Sequence, residues 1–131
     1  MKERTLEFWD EDEWEAITAN WPAAVQRGFA KNLRIAQLGG TPQSHAKPLS
    51  GFKISLWELW HRDGQRVIYT TDLAELRNCV YVVDAFNKDS VKGKKMRTSD
   101  KSRIDGRAKA LRAEIDRLEA ELLARRKKQL H

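Results

Sequence analysis

With 131 residues, 34% of them charged and 40% hydrophobic, the chain can build one modest core and is too apolar to be disordered throughout. No apolar run approaches a membrane span, the charged N-terminus fits no signal peptide, and a single cysteine, Cys79, excludes an internal disulfide, so a soluble cytoplasmic protein is expected. The net charge of +6 is unevenly placed: residues 1–91 carry 11 Lys and Arg against 13 Asp and Glu, residues 92–131 carry 14 against 6, which implies two functional surfaces.

In chain order, residues 10–20 place Trp14, Ile17 and Trp21 at helical spacing, with acids in the first turn where the helix dipole favours them. Pro22 suits the first turn of a second helix, whose Val25, Phe29, Leu33 and Ala36 form one apolar stripe ended by Gly39-Gly40. Residues 41–51 have loop composition. Three strands are predicted over 52–60, 66–71 and 79–86, the last nearly all apolar and so the most buried; Cys79 within it reads as a small buried hydrophobe. Residues 72–78 are polar enough for a connection. The predicted order is two helices and then three strands.

Residues 88–101 have no periodicity and suggest a mobile segment. From about Ser102, Ile104, Ala108, Leu111, Ile115, Leu118 and Leu122 follow alternating steps of four and three, a heptad seam. A helix to about Arg125 would be about 35 Å long at 1.5 Å per residue, against a radius of gyration of about 12 Å for a 90-residue core. It must therefore span that core or overhang it, and it has three options: to pack on the core, to pair with itself, or to await a partner helix. Residues 1–91 are expected to form the core and 92–131 a basic linker followed by this helix.

The stretch "LWELWHRDGQRVIYT" (56–70) contains the turn signal Asp63-Gly64. A three-residue loop, Arg62-Asp63-Gly64, with Gly left-handed, puts Trp57, Leu59, Val67 and Tyr69 on one face and Leu56, Glu58, Trp60, Arg66 and Ile68 on the other. That register segregates a clean core side and is preferred to a two-residue loop. Tyr69 then packs in the core. The second face would be open, with Arg66 beside Trp60 ready for a phosphate and a stacked base. The alternative is a solvated face with a Glu58–Arg66 pair worth roughly 0 to 1 kcal/mol.

The words "WP", "KPLSG", "LWEL", "GQRVIYT" and "VYVVDAFNKDSVKGKK", in this order and spacing, resemble the RelE/ParE superfamily of bacterial toxins, and most closely its phage-derived, HigB-like branch. The resemblance runs over about residues 21–107. It implies an α+β fold, with an N-terminal helical hairpin packed on a small twisted antiparallel sheet and here followed by the long C-terminal amphipathic helix. It also implies a type II toxin that inhibits translation by ribosome-dependent mRNA cleavage. A cognate antitoxin, a small helix-turn-helix DNA-binding protein, would neutralise it; ribosome and mRNA are the other implied partners, with no membrane. A non-cleaving toxin acting on a target such as DNA gyrase, or a phage nucleic-acid or protein adaptor, is the alternative.

Carried over by position, the phosphate-facing residue is Arg66, the basic residue of the "PL-G" loop is Lys47, and the one after the third strand is Lys88. Trp60 stands where relatives often have Arg, and Asp89 where many ribonuclease members have a second basic residue. Cleavage would need a base for the 2′-hydroxyl, cations for the phosphoryl oxygens and an acid for the leaving oxygen. Arg66 suits phosphate stabilisation, Lys47 and Lys88 add charge, and His61 has the pKa for proton transfer unless it is only a solvated turn residue. Trp60, Lys53, Arg62, Lys92, Lys94 and Lys95 are the expected RNA contacts. His45, His61, His131 and Cys79 lack metal-ligand spacing, and no cofactor or metal is implied.

Overall fold

The computed structural model describes residues 2–88 and 96–130. Five strands form one mixed sheet in the order β1-β5-β4-β3-β2: β1 Thr5–Phe8, β2 Ala46–Leu49, β3 Leu56–Trp60, β4 Gln65–Thr70 and β5 Cys79–Asn87. β1 runs parallel to β5, and the other neighbours are antiparallel. The helices are α1 Glu11–Thr18, α2 Ala23–Gln37, α3 Ala74–Arg77 and α4 Thr98–Gln129.

The predicted helical hairpin is present. Asp10 caps α1, its side chain accepting from Glu13 N, and Pro22 precedes α2. The buried residues of α2 are Val25, Phe29, Leu33 and Ala36, the stripe given by their spacing. They meet Leu59, Val67, Tyr69, Val80 and Val82 on one face of the sheet. Burial pushes the Tyr69 phenol up to about 12 and the Cys79 thiol likewise up to about 12.

The order of elements differs from the prediction at three places, one of them the short helix α3 inside the segment read as a connection. Residues 5–8 form a strand, and residues 46–49 form another inside the segment read as loop. Both are four-residue edge strands, too short for a periodic signal, and Pro48 disguises the second. The sheet is therefore mixed and five-stranded, where a small antiparallel one was expected.

The other face of the sheet is closed over much of its length, which corrects the expectation of an open charged face. Ile104, Ala108, Leu111 and Ile115 of α4 pack with Ile54, Leu56, Ile68, Leu73, Val83 and Phe86. At 32 residues α4 is about 48 Å long. Its seam is buried through Ile115 and half-buried at Leu118, whereas Leu122, Leu123 and Leu130 are exposed. The helix thus packs on the sheet with its first part and overhangs with its last. It begins one turn before Ser102, where Asp100 Oδ2 accepts from Arg97 Nε at 2.9 Å and Asp100 Oδ1 from Arg103 Nη2 at 2.8 Å. Lys92, Lys94 and Lys95, the expected boundary between 91 and 92, and residues 89–95 of the segment read as mobile lie outside the described residues.

A β-bulge in β5 fixes where α4 docks. Ile68 pairs with Asp84 and Tyr69 with Val82, so Val83 is the extra residue. Asp84, 1% exposed, receives Arg103 at 2.7 Å and Arg107 at 3.0 Å from α4, and Ala85 N donates to it at 2.8 Å. Burial still pushes its carboxyl up, against the two arginines. Beyond Val82 no strand lies on the β1 side of β5 among the described residues; there Arg107 donates to Val83 O at 2.9 Å and Arg97 to Asn87 O at 3.0 Å.

The two parts of the seam differ in what they hold. Ile104→Ala should cost about 2–5 kcal/mol through a cavity between α4 and the sheet, whereas Leu123→Ala should stay within about 0.5 kcal/mol. Urea unfolding of both variants checks the contrast.

Candidate functional site: a basic cluster on a buried glutamate

The β3–β4 hairpin has the preferred register: Trp57 pairs with Tyr69, Glu58 with Ile68, Leu59 with Val67 and Trp60 with Arg66. The three-residue loop closes with Gly64 N donating to His61 O at 3.0 Å and His61 N to Gln65 O at 3.0 Å. Gly64 has φ of 108°, and a Cβ there would stand 2.6 Å from Lys88 O, so this turn accepts only glycine. Its carbonyl in turn accepts from Lys88 N at 2.7 Å. The turn thereby ties the end of β5 to the hairpin and brings Lys88 to Arg66.

Lys47 on β2 is the register partner of Glu58 on β3. Its Nζ lies 3.6 Å from Glu58 Oε2, while Arg66 Nε lies 2.9 Å from Oε1. The Arg66 contact is charge pairing at an angle that makes no hydrogen bond of it. Arg66 Nη1 donates to the carbonyls of His61 at 2.9 Å and Gln65 at 3.0 Å. Partial burial holds the Lys88 ammonium below the ordinary lysine value; Glu58 pulls it up, and the positive charges of Arg66 and Lys47 push it down. Lys47, Arg66 and Lys88 thus converge on one carboxylate that is only 3% exposed.

Glu58 is the residue that sequence reasoning left as a surface partner. It is no surface residue, being 3% exposed beside Ile68 and under Lys47 and Arg66. The signal was the apolar pair Leu56 and Ile68 on Glu58's own face, which needs a cover.

The remaining candidates fall elsewhere. The rings of Trp60 and His45 lie 4.6 Å apart, tilted by 54°. They line a cleft of about 290 Å³ against α2, which His61 and Arg62 also line. Asp63 N donates to His61 Nδ1 at 3.2 Å, which puts the proton of the neutral ring on Nε2. Lys53 is exposed in the bend before β3. Chemically, the cluster offers positive charge in fixed positions, suited to a phosphate or another oxyanion.

The position of Glu58 reverses one expectation. Loss of Arg66 was to cost little, as for an exposed pair; with its partner buried, Arg66→Ala should destabilise by about 3–5 kcal/mol. The double variant Glu58→Gln/Arg66→Ala should recover part of that loss, since no uncompensated charge stays buried. Denaturant midpoints of the three proteins measure it.

Among the described residues, no helix is long and apolar enough to cross a membrane. No curated protein matches the chain at a significant level. The family model Phage derived protein Gp49-like (DUF891) matches residues 18–109, from the end of α1 into α4, and so takes in the hairpin, Lys47, Glu58, Arg66 and Lys88. With more than two thirds of its length matched, the chain belongs to the phage-derived Gp49-like family, a RelE-like toxin-related group.

Proposed function

We propose that this protein is the toxin of a type II toxin–antitoxin module, of RelE-like fold and HigB-like kind, which stops translation by cutting mRNA on the ribosome. The observation that carries the reading is the convergence on Glu58 of Lys47 from β2, Arg66 from β4 and Lys88 just past the end of β5. In-line attack by a 2′-hydroxyl builds negative charge on the phosphoryl oxygens, and preorganised cations lower that barrier most when they need not reorganise. Glu58 holds Arg66 and Lys47 in place, and the two carbonyls that accept from Nη1 fix the guanidinium plane. Lys88, with its proton affinity lowered, suits the role of proton donor to the leaving oxygen. The basic run Arg125–Lys128 and the exposed Leu122 and Leu123 on α4 suit an acidic amphipathic segment of a neutralising antitoxin.

A specific observation favours a second reading. Arg66 has Glu58 and two backbone carbonyls as partners already, and its side chain is 16% exposed. A guanidinium so engaged serves binding more readily than transition-state stabilisation. A toxin that grips a target such as DNA gyrase without cutting would use the same surface.

The test uses Lys47→Gln/Lys88→Gln and Arg66→Lys, which keep Arg66's site filled. Wild-type protein should stop cell-free translation and leave new mRNA ends in the ribosomal A site by primer extension. Arg66→Lys, which loses the planar fork, should lower the cleavage rate on the order of a hundredfold, by analogy with loss of one preorganised donor. Translation arrest without new mRNA ends, or inhibition of gyrase supercoiling, would exclude cleavage and favour the second reading.

A further inference from the structure

The cleft beside Trp60 is separate from the basic cluster but joined to it by strand geometry. Lys47 pairs with Glu58, and two residues along the same strands Trp60 N donates to His45 O at 2.9 Å. One such step is roughly 7 Å, about the separation of a nucleotide's phosphate from its base. Along the strands, His45 and Trp60 therefore stand one such step from Lys47 and Glu58.

Two details of the cleft bear on what it could hold. His45 has φ of 58°, in the left-handed region, which among non-glycine residues Asn, Asp and His adopt most readily. It is held there by its carbonyl's bond to Trp60, by Ser44 Oγ at 2.7 Å from its Nδ1, and by Asn32 of α2, whose Nδ2 donates to Ser44 O at 3.1 Å. Across the cleft, Gly28 sits inside α2, where glycine destabilises a helix relative to alanine. A Cβ on Gly28 would meet nothing within 4 Å, so no packing contact demands glycine. What its missing side chain leaves is room in the cleft, facing Trp60 and His45.

We propose that the cleft between α2 and the β3–β4 hairpin is a nucleobase subsite, taking one unstacked base of single-stranded RNA beside Trp60 and His45 while its phosphate lies against Lys47 and Arg66. The inference rests on the RNA-directed reading above and adds the element that selects the position of the strand. Stacking on aromatic rings tolerates any base. The His61 Nε2–H at the cleft wall adds a donor for the edge of a base, and Arg62 at the rim adds charge for the next phosphate.

The test needs neither ribosome nor antitoxin. Binding of the full chain to a fluorescent five-nucleotide RNA is compared by anisotropy with binding to the same backbone stripped of all its bases. The stripped strand should bind about 5- to 150-fold more weakly, the range spanned by one lost base stack. Gly28→Leu, which fills the cleft with a better helix former and leaves Lys47, Arg66 and Lys88 in place, should melt no lower than wild type yet bind both strands equally weakly. His45→Asn, which keeps the left-handed backbone and removes the ring, should lose part of the difference. Equal binding of both strands by wild type, no binding of either, or undiminished base dependence in Gly28→Leu overturns the subsite. Base-dependent binding by a chain that leaves translation untouched upholds the subsite and sinks the toxin reading, whereas translation arrest without base dependence does the reverse.

Discussion

Both faces of β5 are apolar, and a strand of that kind is stable only when each face is covered. Val80, Val82 and Ala85 meet α2 and its neighbours, while Cys79, Val83 and Phe86 meet α4. The hairpin before the sheet covers one face. The helix after it must then return across the other, and the bulge at Val83 turns Asp84 toward that helix to meet Arg103 and Arg107. With both faces committed to packing, the basic cluster lies at the end of the strands. There the β3–β4 turn, the end of β5 and the edge strand β2 come together.

At that end the organising group is a buried anion. Glu58 out of water is costly unless cations answer it, and Arg66 and Lys47 do so at ion-pair distance, with Lys88 close enough to feel its charge. The same arrangement makes these cations serve stability as well as binding. A ligand phosphate arriving at the cluster would compete with Glu58 for Arg66, so the carboxylate moderates the grip as well as orienting it.

Much of this was legible in the sequence where a repeat or a turn rule applied. The α2 stripe, the hairpin register and the α4 seam each follow from spacing, because period 3.6, period 2 and the left-handed glycine leave few alternatives. The edge strands were not legible, since four residues carry no period. The surroundings of Glu58 were missed for another reason: local pattern says which residues share a face, but only the return of a distant helix says whether that face is wet. Seam and sheet face were both apolar at Ile104, Ala108, Leu56 and Ile68, and each was the other's unread cover. The aromatic cleft escaped because its parts, Gly28, His45 and Trp60, come from three segments with no spacing in common. The roles of the site residues came from family resemblance and not from pattern.

The outer edge of β5 has one more consequence. β1 ends at Phe8, opposite Val82, and among the described residues no strand covers that side of the last stretch of β5. Such an edge is a template on which a foreign strand can add, the first step of sheet-to-sheet aggregation. Here two outward carbonyls are held by arginine side chains, those of Val83 and Asn87, and the Ala85 amide is held by its neighbour's carboxylate. Guanidinium groups in the places where another backbone would bond make the edge charged and already satisfied. Two of the chain's arginines, Arg97 and Arg107, thus occupy positions where a foreign strand would otherwise pair.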